Sequence, residues 1–279
     1  MTRSRPFRQV DVFTDEALLG NPVAVVLDPE DVPTERMQSF TEWTNLSEAT
    51  FVGPPSHPDA DYAVRIFCPG RELPFAGHPT LGSAHAWLES GGVPKGSEIV
   101  QECGAGLVRI RRDGDVLAFA APPLQRGGPL SDDELAAAVR FLGISPDDVV
   151  AHSWCDNGPG WRGLLLRSAQ LVLDLVPDPA ALDSMDVGVV GLHEPGAGTD
   201  VEIRTFFPGT NGLTEDPVTG SFNAAVGQWL IAAGHLPDRY LAAQGTAIGR
   251  RGRIHVERAG DDVWVGGSCV TVLEGRALL

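Results

Sequence analysis

A glutamate at 48, a histidine at 78 and an aspartate at 216 are the side chains whose surroundings best suit proton chemistry. His78 lies in Arg71-Glu72-Leu73-Pro74-Phe75-Ala76-Gly77-His78-Pro79-Thr80-Leu81-Gly82-Ser83. An extended run, Tyr62 to Cys68, leads into this stretch, and a helical run, Thr80 to Leu88, leaves it. Gly77 lets backbone approach a ligand closely, and Pro79 suits a first helical turn. His78 is therefore expected at the mouth of a helix. Unpaired N–H groups and a partial positive charge there can hold a carboxylate or a developing enolate. The same pattern also describes a capped connection in which His78 does no chemistry. Glu48 lies where a helix running out at Asn45-Leu46-Ser47-Glu48 hands over to a buried strand, Ala49 to Val52. Carboxylates are seldom put in such a place unless they are paired or working. A semi-buried glutamate, its pKa raised by desolvation, can take a proton from carbon and return it elsewhere. There is no nucleophile–base pair, no phosphate loop, no G-x-G-x-x-G after a strand and no His-x-x-His spacing. An isomerase with neither metal nor cofactor is the expectation that remains.

A second copy of the segment strengthens this reading. Phe206-Phe207-Pro208-Gly209 leads to Asp216-Pro217-Val218-Thr219-Gly220-Ser221, as Phe67-Cys68-Pro69-Gly70 leads to His78-Pro79-Thr80-Leu81-Gly82-Ser83. Each copy runs into an Ala-rich helix with a Trp near its end, Trp87 and Trp229, and then into a strand pair. The chain thus reads as two similar halves, each aiming a helix start at a shared cleft. That cleft would gather His78, Asp216, Ser221, the Gly77 and Gly220 amides and Glu48. Two registers remain open: one pairs His78 with Asp216, the other pairs Gly77 with Gly220.

The elements that must position these groups follow from the pattern. Gln9 to Phe13 and Val23 to Leu27 read as strands about a Gly20-Asn21-Pro22 turn, and Pro33-Thr34-Glu35 opens a helix with Met37, Phe40 and Trp43 on one face. A meander covers Glu98 to Ala121, turning at Asp113-Gly114. The Pro122-Pro123 to Pro129 stretch is the best linker, which divides the chain into halves 1–123 and 124–279. Ser131-Asp132-Asp133-Glu134 is a capping box opening a helix that ends near Gly143. Trp161 to Arg167, Leu171 to Val176, Val187 to Leu192 and Val201 to Phe207 read as strands, and Asn223 to Ala233 as the second central helix. The expected fold class is α+β, two pseudo-symmetric halves, each a mixed barrel-like sheet curled around one helix.

Composition bounds the function. The 279 residues carry 21 basic against 37 acidic side chains, net −16. So acidic a surface repels nucleic acid and anionic membrane. No apolar run approaches membrane-spanning length, and no signal peptide is visible at Met1-Thr2-Arg3-Ser4-Arg5-Pro6. Cys68, Cys103, Cys155 and Cys269 are scattered without a C-x-x-C pair. Reduced, mostly buried thiols in a cytoplasmic protein are expected.

Five segments together carry a family resemblance: Gly20-Asn21-Pro22-Val23-Ala24-Val25, Asn45-Leu46-Ser47-Glu48-Ala49-Thr50-Phe51, Arg65-Ile66-Phe67, Glu72-Leu73-Pro74-Phe75-Ala76-Gly77-His78-Pro79 and Glu215-Asp216-Pro217-Val218-Thr219-Gly220-Ser221. In this order, across nearly the whole chain, they resemble the PhzF-like isomerases of phenazine biosynthesis, structural kin of diaminopimelate epimerase. The resemblance implies an active site between the halves and usually a homodimer acting on a small molecule. Carried over, Glu48 is the acid/base. His78 and Asp216 hold the substrate's polar groups, and Ser47, Gly77, Gly220 and Ser221 contact it. Epimerases of this kin place a cysteine at each helix start; here neither start has one, which speaks against two-thiol racemisation. The chain also departs from the phenazine enzyme at Cys68, at Gly70-Arg71, at Phe222-Asn223 and in the loop Pro208 to Leu213, which puts a strict phenazine role in doubt. An amino-acid racemase and a non-catalytic small-molecule binder of the same fold are the alternatives.

Overall fold

The computed structural model of the protein describes residues 3–209 and 212–279. Met1, Thr2 and, from the loop singled out at 208–213, Thr210 and Asn211 lie outside them. The chain divides into two compact units, residues 1–120 with 266–279, and residues 121–265. The return of the last strand to the first unit has no counterpart in the sequence reading.

The first unit begins with β1 (Ser4–Val12) and β2 (Asn21–Leu27), then α1 (Thr34–Thr44), β3 (Ala49–Gly53), β4 (Tyr62–Cys68) and the short β5 (Arg71–Leu73). Helix α2 (Gly77–Glu89) follows, then β6 (Ile99–Cys103), β7 (Gly106–Asp113) and β8 (Val116–Ala120). In the second unit, α3 (Asp132–Leu142), β9 (Val149–Cys155), β10 (Trp161–Leu166), α4 (Ala169–Leu173) and β11 (Val187–Leu192) precede β12 (Val201–Gly209) and β13 (Gly212–Glu215). Then come α5 (Gly220–Ala232), β14 (Arg239–Gln244), β15 (Gly252–Ala259) and β16 (Asp262–Leu278), whose residues from Gly266 onward belong to the first unit.

In the first unit the strand order is β1-β2-β3-β4-β6-β7-β8-β16, and β16 pairs again with β1, closing an eight-stranded barrel. Closure removes every exposed edge, the usual liability of a sheet. Helix α2 runs through it, packed on β1, β2, β3, β6 and β8. Leu81, Ala84 and Ala86 on α2 are fully buried, and Gly82 sits so close to the wall that a Cβ there would lie 2.4 Å from Val23 Cγ1. A helix apolar on all sides belongs inside a core. On the outer face, α1 is held by a ladder of edge-to-face rings, Phe7 on Phe40, Phe40 on Phe51 and Phe51 on Phe67.

The second unit repeats the plan. Its strand order is β9-β10-β11-β12-β14-β15-β16, with β13 on β12 as β5 is on β4. The parallel pair β10–β11 answers β2–β3, and the parallel pair β12–β14 answers β4–β6. Helix α5 is the central helix, with Phe222, Ala224, Ala225, Val226 and Leu230 fully buried. Each unit is thus a mixed sheet curled around one apolar helix, as the α+β reading expects.

Several local expectations are corrected. Leu171 to Val176 is not a strand. Ser168 accepts a hydrogen bond from the Leu171 N–H and starts helix α4 instead; a short apolar run does not distinguish the two states by periodicity. Trp43 is not on the buried face of α1 but is 83% exposed, while Met37 is buried. The hairpin turn after β7 falls at Gly114-Asp115, one residue later than expected. The cysteines are mostly buried as expected, Cys155 fully and Cys68, Cys103 and Cys269 in part. Strands β9 and β14 have no counterpart in the sequence reading. The capping box is present as expected, Ser131 and Glu134 each accepting from the other's N–H. Among the described residues, no helix is long and apolar enough to cross a membrane.

Candidate active site

In the first unit the chain brings Glu48 and His78 together. Glu48 is the residue before β3, tied to β2 by its carbonyl, which accepts from the Ala24 N–H at 3.4 Å. His78 is the second residue of α2. Glu48 Oε2 and His78 Nε2 lie 3.4 Å apart, with side chains 17% and 7% exposed. Burial drives the His78 imidazole down to about 3, against the opposing pull of a hydrogen bond to the Pro22 backbone. The imidazole is therefore neutral at ordinary pH, although it stands within ion-pair distance of a carboxylate.

The neutral ring has one tautomer that fits. A carbonyl only accepts, so the nitrogen facing Pro22 must carry the proton. Nε2 makes no hydrogen bond to a described residue, so Nδ1 is the nitrogen held by Pro22 and Nε2 presents a lone pair toward Glu48. Two acceptors at this distance form a hydrogen bond only when a proton is placed between them. The pair is a slot for one proton, and the Gly20-Asn21-Pro22 turn sets the ring that forms half of it. Gly20 is required there, because a Cβ would lie 2.3 Å from the Val12 carbonyl.

Helix α2 starts at Gly77 with no side-chain cap and no acidic residue in its first turn, so its leading amides keep their donor capacity. Ser47, beside Glu48 in sequence, is solvent-exposed. One thiol missing from the expected set also belongs here: Cys68 lies within the electrostatic reach of Glu48.

In the second unit, Gly220 opens α5, again without a side-chain cap. The N-cap position of α5 is held by Thr219. Asp216 Oδ2 accepts from the Thr219 hydroxyl at 2.6 Å, and because that hydroxyl has one proton, Thr205 must donate in the 2.6 Å Thr205–Thr219 contact. Gln244 completes the web. Its amide nitrogen donates to Thr205, Thr219 and the Asp216 carbonyl, and its oxygen accepts from the Thr219 N–H and from Asn223. Ser221 Oγ accepts from the Trp161 indole at 3.0 Å, which leaves its own proton for an acceptor, and Asn157 donates to the Ser221 carbonyl.

Expectation had not reached Pro22 as a holder of His78, nor Trp161 and Asn157 about Ser221, nor Gln244. Gln244 alone had a readable signal: Gln101 precedes it by the same interval that separates Gly77 from Gly220. The two helix starts align in that register, so His78 answers Ser221 rather than Asp216. Among the described residues, no group of three or more His, Cys, Asp or Glu side chains is placed to hold a metal ion.

Comparison with known proteins follows the same lines. The family described as phenazine biosynthesis-like protein, PhzC-PhzF, matches residues 10–275. The chain is 36% identical to antisense-enhancing sequence 1 of Schizosaccharomyces pombe, over 98% of both chains. It is 37% identical to the trans-2,3-dihydro-3-hydroxyanthranilate isomerase of Pseudomonas aeruginosa, over 97% of this chain and 98% of that one. The crystal structure of a PhzF-family protein from Enterococcus faecalis superposes with a TM-score of 0.80 at 26% identity, covering 99% of this chain and 100% of the other. A hydroxyproline epimerase from Agrobacterium vitis shares the fold alone, with a TM-score of 0.60 at 17% identity over 99% and 93% of the two chains.

Proposed function

The chain belongs to the phenazine biosynthesis-like (PhzC-PhzF) family and is an isomerase, and from that premise we propose a cofactor-independent proton shift within a small carboxylated molecule, with Glu48 as the acid/base. The carrying observation is the Glu48–His78 pair, 3.4 Å apart with the imidazole buried and neutral. A proton taken from substrate carbon by Glu48 has an acceptor lone pair beside it at His78 Nε2. The pair holds that proton until the neighbouring carbon takes it back, so one carboxyl group serves as base and then as acid. The leading amides of α2 stabilise negative charge as it develops on the substrate.

In the second unit, Asp216 and Ser221 are assigned to the substrate's polar groups, with the Gly220 amide. Ser221 has a hydroxyl proton to give, and the Thr219–Thr205–Gln244 web holds the Asp216 carboxylate in one orientation. The proposed setting is a cytoplasmic homodimer in secondary metabolism.

Trans-2,3-dihydro-3-hydroxyanthranilate, the compound named for the Pseudomonas relatives, is the first substrate to try, in deuterated water. A shifted double bond, with solvent deuterium at carbon to the extent that the held proton exchanges before its return, and both lost in Glu48→Gln, supports the reading. Exchange confined to the α-carbon of free amino acids, with no double-bond shift, would replace it with an epimerase.

A further inference from the structure

The β4–β5 turn places an unassigned cation beside Glu48. Cys68 and Arg71 are register partners across this turn, with the thiol 3.6 Å from the Arg71 carbonyl. On the other side of β4, Ala49 pairs with Phe67, so the antiparallel register carries Glu48 opposite Cys68. The electrostatics agree with this placement. Burial is the first influence pushing the Cys68 thiol up; hydrogen bonding from the Arg71 side chain draws it down, and the Glu48 charge pushes it up again. The two registers therefore put Cys68 on the strand between Glu48 and Arg71. Arg71 is exposed, and its sequence neighbour Glu72 is already taken by Arg65 at 2.6 Å. Among the described residues, no carboxylate pairs with Arg71.

We propose that Arg71 receives a carboxylate of the substrate beside Glu48 and so determines which small molecules the site accepts. The inference rests on the Glu48 reading above for where the substrate sits. Its physical basis is a contrast of charge: a chain of net −16 repels a small anion at long range, so a local guanidinium is needed to hold one. An exposed Arg is desolvated at little cost and offers a fork that matches a carboxylate with two parallel hydrogen bonds.

Cys68 serves as the reporter. The native protein is alkylated with iodoacetate, an anion, and with iodoacetamide, which is neutral; in both cases the thiolate displaces iodide. Rates at Cys68 are read by peptide mass spectrometry, and their ratio cancels the thiolate fraction. Arg71→Gln is expected to lower the iodoacetate-to-iodoacetamide ratio roughly fivefold, the effect of one unit charge about 4 Å away in water, which the exposure of Arg71 makes the applicable medium. Arg71→Lys should restore most of it, and Glu48→Gln should raise it. Benzoate should slow alkylation of Cys68 by iodoacetamide in the native protein but not in Arg71→Gln, and benzamide should do so in neither. An unchanged ratio in Arg71→Gln, or benzoate protection that survives that substitution, overturns the assignment. Either result leaves the Glu48 reading standing, because that reading depends on turnover and deuterium uptake. Conversely, an active Glu48→Gln protein that still shows the Arg71-dependent ratio refutes the acid/base and keeps the anion site.

Discussion

The starts of α2 and α5 are the same construction with different chemistry. At one constant offset Gly77 answers Gly220, Thr80 answers Asn223 and Gln101 answers Gln244. In both units the strand glutamine is hydrogen-bonded to the fourth residue of the helix, Gln101 to Thr80 at 3.0 Å and Asn223 to Gln244 at 2.9 Å. Each preceding strand carries an arginine gripping a glutamate with two hydrogen bonds, Arg65 with Glu72 and Arg204 with Glu215. Each of these arginines also lies over the Phe two residues on, 5.0 Å from its centroid. Against this shared frame the reactive positions differ. The second helical residue is His78 in one unit and Ser221 in the other, and the residue before the parallel strand is Glu48 or Asp186. A repeated scaffold thus keeps its staples and concentrates the titratable pair in one copy. The first start can hold a moving proton, while the second presents a hydroxyl and a fixed carboxylate.

The sharpest way to break this asymmetry is to neutralise the two equivalent carboxylates in turn. Glu48→Gln should lower turnover by about 10²–10⁴-fold, the usual contribution of a positioned acid/base. Asp186→Asn neutralises a half-buried side chain on the residue whose backbone carbonyl accepts from the Arg162 N–H, as the Glu48 backbone carbonyl accepts from Ala24. It should cost less than about tenfold if its role is structural. Steady-state kinetics on the same substrate decide. Equal losses would mean that both copies share the chemistry.

What could be read in advance follows the same division. The two strand–turn–helix segments were legible because Pro-Gly turns, glycines at helix starts and Ala-rich helices are local signals. The register between them was not, since the residues at the starts themselves are unlike. It emerges from Gln101 and Gln244, whose shared roles depend on side-chain contacts; Arg65 and Arg204 on the preceding strands stand four residues closer than that offset. Glu48 was legible as a carboxylate at an unusual place, and His78 as a helix-start residue. Their pairing, and the Pro22 carbonyl that chooses the tautomer, join residues far apart in sequence. Leu171 to Val176 misled because its apolar run fits either state, and the Ser168 cap decides. Trp43 misled because helical spacing says which residues share a face but not how wide the buried stripe is.

A second contrast concerns stability. The Arg204–Glu215 side chains are 7% and 13% exposed, against 39% and 40% for Arg65–Glu72. Arg204 also donates to the Val172, Leu173 and Leu175 carbonyls about the end of α4. Arg204→Ala should therefore cost about 3–5 kcal/mol, because it strands a buried carboxylate and several carbonyls. Arg65→Ala should cost only about 0–1 kcal/mol. Urea unfolding at one pH measures both; comparable values would mean that the frame is not held harder in the second unit.

The smallest expected effect is a slope with pH, and it isolates His78 from its counterpart. Burial puts the folded His78 at about 3, below its unfolded 6.5, so between those values the unfolded chain binds more protons. Stability is then fully present above about 6.5 and is lost as pH falls through the window toward 3. A single such group contributes a slope that approaches about 1.4 kcal/mol per pH unit. The native protein and His78→Gln, unfolded in urea at several pH values from neutral down to about 4.5, should diverge steadily, the variant losing less. Ser221→Ala, which changes the equivalent helix position but removes no titrating group, should run parallel to the native protein throughout. Glu48 stands 3.4 Å from the ring and is itself a titratable group, so the divergence should also be measured in a Glu48→Gln background. If it vanishes there, the slope belongs to the carboxylate rather than to the imidazole, and the neutral histidine on which the proton slot depends is lost with it.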